Sequence, residues 1–220
     1  MAAHPEGEFL LPVFPLPNLV FFPHTRLPLH VFEPRYRQLV SDALEGENRF
    51  GIVLLRPGWE ANYFGTPPVY DCGTLGILEQ AQPLDDGRYN ILVRGEVRFR
   101  VVGEVRHQPY RTLRVIAQPE LTADEERVRA RREELAELAR QYIEYLPDRM
   151  DVPEIETVTL DALTNALIMS LNVDVEAKQR LLELDDLLDR AENVGLELKT
   201  RIESLRFLGP YRRSKDPSRN

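Results

Sequence analysis

Apolar positions in the first half of this chain recur at strand-like intervals, and in the second half at helical ones. Up to about residue 119, short runs rich in β-branched and aromatic residues are separated by Gly, Pro, Asn and Asp. That pattern predicts strands over 9–16, 27–32, 49–56, 74–83, 88–95, 97–107 and 110–118. Asp85-Asp86-Gly87 supplies residues that tolerate positive φ, so a tight turn should join two of these strands. One helix interrupts the series. Pro34 suits a first helical position, and Tyr36, Leu39, Val40 and Ala43 form an apolar stripe that ends near Gly46. Six or seven strands around one early helix predict a small, partly open barrel.

The period changes at Leu121-Thr122. Thr122 and Glu125 have the spacing of a capping box, which predicts a helix to about Leu146 with Val128, Leu135, Leu138, Tyr142 and Leu146 on one face. Pro147 and Asp148 should break it. A second helix is expected over 157–171, on Val158, Leu163, Leu167 and Leu171. A third should start at the N-cap Asp174 and continue to about Phe207. Its apolar positions include a heptad series, with Leu181, Leu188, Gly195 and Ile202 at one position and Leu184, Ala191, Leu198 and Leu205 at the other. Gly195 removes a knob from that seam and costs about 1 kcal/mol of helix propensity, which favours packing on neighbouring helices over a coiled-coil partner. The α+β chain therefore divides into a β-rich lobe over 9–119, a helical lobe over 120–208 and a polar, basic tail over 209–220 expected to be disordered.

At 220 residues and 43% hydrophobic, the chain can bury a substantial core. The apolar run from Phe9 to Pro23 is cut by Pro12, Pro15 and Pro17 and is shorter than the roughly 20 residues a spanning helix needs, so no membrane segment is expected. No signal peptide is legible either, and Cys72 is the single cysteine; both fit a reducing cytoplasm. Net charge is −8, and nearly all of it lies after residue 119, where acidic surface would repel nucleic acid.

Residues 14–36 run Phe-Pro-Leu-Pro-Asn-Leu-Val-Phe-Phe-Pro-His-Thr-Arg-Leu-Pro-Leu-His-Val-Phe-Glu-Pro-Arg-Tyr. This segment resembles the opening of the Lon protease N-terminal domain family: a Pro-punctuated apolar strand, a Phe-Pro turn, a Leu-Pro-Leu strand, then Phe32-Glu33-Pro34-Arg35-Tyr36 at a helix start. Gly73-Thr74-Leu75-Gly76-Ile77, Asp86-Gly87-Arg88-Tyr89, Gly95 with Arg98-Phe99, and Pro109-Tyr110 continue the likeness. Leu171-Asn172-Val173-Asp174-Val175-Glu176-Ala177-Lys178-Gln179 resembles the family's Leu-Pro-Leu-Ser-Pro-Glu-Glu-Lys-Gln segment, with Asn172 for Pro and Ala177 for Glu. The resemblance covers about 9–207. It implies a PUA-like β pseudobarrel followed by a helical bundle with a long last helix, and a role in recognising protein substrates.

The chemistry legible in the residues fits binding better than catalysis. There is no Gly-x-x-x-x-Gly-Lys-Ser/Thr loop to cradle phosphates, and Lys178, Lys199 and Lys215, the candidates for a Ser-Lys peptidase dyad, lie on an acidic helix or in the tail. His24, His30 and Glu33 lack the spacing of a metal site, and Asp71 beside Cys72 opposes a reactive thiolate. No cofactor or metal is expected. Arg88, Arg94, Arg98, Arg100, Arg106, Arg111 and Arg114 fall on consecutive strands, so an RNA-binding PUA-like module is one alternative, although acids are interleaved with them. An uncharacterised enzyme, which would need a polar cleft of converging titratable groups, is another. Segment 56–70 carries the only Trp, Trp59, with Tyr63, Phe64 and Tyr70 on a Gly- and Pro-rich loop. Large aromatics on a loop must fold back or bind something. The expected site is therefore a polypeptide-binding surface of Trp59, Tyr63 and Phe64, joined by Phe21 and Phe22 of the first turn. The expected partners are unfolded or client polypeptides and a protease.

Overall fold

In a computed structural model that describes residues 7–63, 65–106, 108–120, 124–145, 155 and 157–212, the elements run β1 (Glu8–Leu16), β2 (Arg26–Val31), α1 (Pro34–Glu45), β3 (Arg49–Leu55), β4 (Val69–Pro83), β5 (Tyr89–Arg106), β6 (Thr112–Gln118), α2 (Glu125–Ile143), α3 (Leu160–Ser170), α4 (Val175–Glu183) and α5 (Leu187–Arg212). The strands lie in the order β2-β5-β4-β3-β1-β6, and β5 also pairs with β6. The sheet thus closes on itself as a pseudobarrel and leaves β2 outside the ring. β1 and β3 are parallel, and the crossover between them carries β2 and α1.

Two predicted strands, 88–95 and 97–107, are one 18-residue strand, β5. Gly95 lets it continue, because a Cβ there would lie 2.3 Å from the Phe22 carbonyl, where the first turn crosses. Past that bend β5 leaves β2 and takes up β6. Inside the ring, Leu11, Val13, Val53, Leu75, Val97, Phe99, Leu113 and Val115 form a core of alternating strand residues. Gly73 makes room for the Phe99 ring, since a Cβ would sit 2.6 Å from both that ring and the Ile52 carbonyl. A second core packs the Tyr36, Leu39, Val40 and Ala43 stripe of α1 against Phe14, Phe21, Phe50 and Val93.

The capping box expected at Thr122 is not what starts α2: Thr122 lies outside the described residues, and the N-cap is Asp124, whose carboxylate accepts from Arg127 N at 3.1 Å. The third predicted helix is two. Asp174 caps α4 as expected, accepting from Ala177 N at 2.7 Å, but the chain turns at 184–186 before α5. Two arginines hold that turn. Arg98 of β5 donates to the carbonyls of Leu182 at 3.0 Å and Leu184 at 2.8 Å, and Arg190 donates to Leu184 at 2.9 Å and to both oxygens of Glu120 at 2.8 and 3.0 Å. Asp186 then opens α5 by accepting from Leu188 N. The heptad seam is therefore discontinuous, and Ala191, Leu198 and Ile202 bury against the bundle's own helices.

α5 runs to Arg212, so Gly209-Pro210 do not end it as expected; residues 213–220 lie outside the described residues. The helical core takes in Val20, Phe22, Leu54 and Cys72 from the strand half. Among the described residues, no helix is long and apolar enough to cross a membrane.

Candidate functional site

The aromatic loop is fixed at both stems. Arg56 N bonds to the Pro68 carbonyl at 2.8 Å, its Nε to the Val69 carbonyl at 2.8 Å, and its guanidinium lies 4.7 Å over the Tyr70 ring and 3.1 Å from Asp71. Buried Arg111 donates to the Pro67 carbonyl at 2.6 Å while Glu104 holds its other nitrogens at 2.6 and 2.9 Å. Between these stems Gly58 takes φ +87°, a backbone region open to glycine, and starts a short 3-10 turn, Trp59–Asn62.

The loop tip rests on the start of α1. Trp59 meets Tyr63 edge-on with centroids 5.4 Å apart, and the Tyr63 hydroxyl donates to the Glu33 carboxylate. The Arg35 guanidinium lies between two rings, 4.6 Å from Tyr36 and 4.9 Å from Tyr63, a placement in which the ring faces attract the cation. Burial and then the Glu33 contact push the Tyr63 phenol above its ordinary pKa, so it stays a neutral donor. Trp59 and Tyr63 are each half-buried. Beside them a cleft of about 360 Å³ is lined by Arg35, Tyr36, Thr66, Pro109, Tyr110 and Arg111. Its aromatic and guanidinium walls suit flat or apolar side chains and backbone carbonyls. Its two cations are already paired, with Glu33 and Glu104.

Of the expected site residues, Trp59 and Tyr63 share this surface, and Phe64 lies outside the described residues. Phe21 and Phe22 do not belong to it: they are 1% and 0% exposed. The first turn folds inward because Thr74 Oγ1 donates to the Phe21 carbonyl at 2.6 Å and Thr25 Oγ1 to the Phe22 carbonyl at 2.7 Å. Each ring then enters a different core. An exposed aromatic missed in the sequence is Phe32, 61% exposed, beside His30 and adjacent in the chain to Glu33. The alternation of β2 was the signal for it, since Arg26, Pro28 and His30 are exposed while Leu27 and Val31 are buried.

Among the described residues, the groups weighed for catalysis are buried or already bonded. Cys72 is buried, and burial pushes its thiol up to about 12 despite the opposing charge of Arg98. Lys178 Nζ donates to the Met169 carbonyl at 3.1 Å, Lys199 Nζ to Glu134 at 2.8 Å, and Lys215 lies outside the described residues. His24 pairs with Asp161 at 2.8 Å, whereas His30 bonds Asn90 at 2.8 Å. Nor, among the described side chains, which exclude that of Arg106, do the β-lobe arginines form a free basic face. Arg98 and Arg111 are buried, and Arg88, Arg94, Arg100 and Arg114 pair with Asp86, Glu79, Asp185 and Glu8.

Comparison with known proteins agrees with this architecture. The family described as the ATP-dependent protease La (LON) substrate-binding domain matches residues 10–200. Lon protease 2 of Myxococcus xanthus is 35% identical over 199 residues, covering 87% of this chain and 24% of that protein. Lon protease of Anaeromyxobacter dehalogenans is 33% identical over 199 residues, covering 87% and 23%. The chain thus spans about a quarter of the length of these relatives. The N-terminal domain of Mycobacterium avium complex Lon protease shares the fold with a TM-score of 0.69 at 17% identity, covering 87% of this chain and 98% of that one. A Lon N-terminal domain protein from Xanthomonas campestris gives 0.61 at 24% identity, covering 84% and 96%.

Proposed function

This chain belongs to the family of Lon substrate-binding domains, and from that premise we propose that it binds exposed segments of unfolded polypeptide, as an adaptor or holding factor for proteolysis, without catalysing a reaction of its own. The observation that supports the site is the aromatic loop, anchored at both stems and presenting Trp59 and Tyr63 half-exposed, with Arg35 reaching both the Tyr63 ring and a neighbouring cleft walled by rings and guanidiniums. Apolar side chains of a client gain by leaving water there, and anchored aromatics lose little conformational freedom on contact. Of the groups weighed for a peptidase dyad, Lys178 and Lys199 are engaged with a backbone carbonyl and a glutamate, and Lys215 lies outside the described residues.

The test is anisotropy of fluorescein-labelled, unfolded casein titrated with the protein. Trp59→Ala should keep its circular dichroism and bind about fivefold more weakly, the effect of removing one aromatic anchor. In the unsubstituted protein, Trp59 emission should shift on adding casein. An unchanged affinity in folded Trp59→Ala would move the contact away from the loop, and no binding by either protein would overturn the function. Steady-state assays should show neither ATP hydrolysis nor casein cleavage.

A further inference from the structure

β2 pairs with β5 along one side, and among the described residues no strand pairs with its other side. Pro28 reveals which backbone groups face that open side. It sits opposite Leu92 and has no N–H to donate, while Thr25 turns its carbonyl toward β5 and accepts from Gly95 N at 2.9 Å. In an antiparallel ladder the backbone groups alternate between the partner strand and the outside. Leu27, Leu29 and Val31 therefore bond toward β5, and Arg26, Pro28 and His30 direct their groups outward. The open edge carries the N–H and C=O of Arg26, the C=O of Pro28 and the N–H and C=O of His30. All three of these residues are exposed.

We propose that this edge receives a segment of unfolded polypeptide as an added strand, held through its backbone. The proposal rests on the substrate-binding reading above and specifies how the substrate is gripped. Backbone groups are common to every sequence, so edge pairing is indifferent to which client arrives, and side-chain contacts supply the preference. The edge leads into exposed Phe32, and the next residue, Glu33, holds the Tyr63 hydroxyl, so a strand lying on β2 continues toward the aromatic loop. A second copy of this chain is the poorer occupant. Pro28 interrupts the donors midway along a six-residue strand, a device that discourages lasting edge-to-edge pairing while leaving Arg26 and His30 able to engage a transient guest.

The probe is a fluorescein-labelled ten-residue peptide alternating Thr with Val or Leu, compared with two versions N-methylated at alternate backbone nitrogens of one or the other parity. The unmethylated peptide should bind, and at least one methylated version should bind about tenfold more weakly, because methylation removes the donors that meet the Pro28 and His30 carbonyls. Amide exchange at Arg26 and His30, followed by NMR in the unsubstituted protein, should slow in the complex. His30→Pro deletes one outward N–H without touching the ladder to β5 and should weaken binding about fivefold, whereas His30→Ala should not. If all three peptides bind alike and the two amides exchange as before, the edge is not the contact, and the loop reading stands alone. If neither the unmethylated peptide nor unfolded casein binds, the substrate-binding reading fails and this one with it.

Discussion

Arg190 is completely buried, and its guanidinium is spread over the Glu120 carboxylate and the Leu184 carbonyl. Truncating it would leave a largely buried carboxylate with the Arg98 guanidinium alone, 3.5 Å away, so Arg190→Ala should cost about 3 kcal/mol of unfolding free energy in urea. Arg26→Ala, which breaks an exposed pair with Glu79, should leave the urea midpoint nearly unchanged. Equal losses at the two sites would remove the argument that Arg190 locks the 184–186 turn. Neither role was legible in the sequence, because an arginine among alternating acids reads as a solvated face whatever lies behind it. Phe21 and Phe22 misled in the opposite direction. They sit in a turn, where exposure is the ordinary expectation, and two threonine hydroxyls that satisfy their carbonyls draw the turn into the core. That Trp59 and Tyr63 lie together on the loop surface was legible, because large rings among Gly and Pro stand out from any regular period; that they bind a client is the proposal.

At the level of elements, apolar periodicity placed most strands and the start of α1 within a residue or two of where they lie. Its failures occur where long-range contacts decide. β4 starts at Val69, earlier than residue 74, because Val69 pairs with Leu55 across the closed base of the loop. β5 passes through Gly95 without ending because the first turn crosses there. The break between α4 and α5 falls inside an unbroken helical period, since the groups that capture the Leu182 and Leu184 carbonyls come from a strand and from the next helix. The start of α2 depends on a local signal two residues past the expected cap, Thr122. Asp124→Ala should cost about 1 kcal/mol by releasing Arg127 N, and Asp124→Asn much less, when the two are compared by urea denaturation. A neutral Asp124→Ala would mean the first turn of α2 contributes nothing to stability.

The strand half and the helical half meet through a shared apolar core, the Arg98–Arg190–Glu120 cluster and further polar contacts, among them His24 with Asp161 of α3 and Asn165 with the Pro23 carbonyl. The shared core leads us to expect a single unfolding transition, with Trp59 fluorescence and helical circular dichroism changing at the same urea concentration. Separate midpoints would show that the halves are independently stable. The His24–Asp161 contact gives this joint a pH dependence whose sign is fixed by both partners. Burial alone would raise Asp161, but hydrogen bonds from His24, Thr159 and the Ala162 amide hold it down, from 3.8 to about 2. Its contribution is therefore present above about pH 4 and fades as pH falls toward 2. The bond to Asp161 raises His24 above 6.5 against the opposing effect of burial. That part is complete below pH 6.5 and is lost as pH rises through the raised value. Between those limits both charges are present, so Asp161→Asn should destabilise most near pH 5, by about 1–2 kcal/mol for a partly exposed pair. The difference from the unsubstituted protein should narrow toward pH 8 and toward pH 2, without vanishing at pH 8, because the carboxylate also accepts from Thr159 and Ala162. A difference that stays constant from pH 4 to pH 8 would show that His24 does not sense its partner's charge, and that the first turn is held to α3 by the Asn165–Pro23 hydrogen bond and the surrounding core instead.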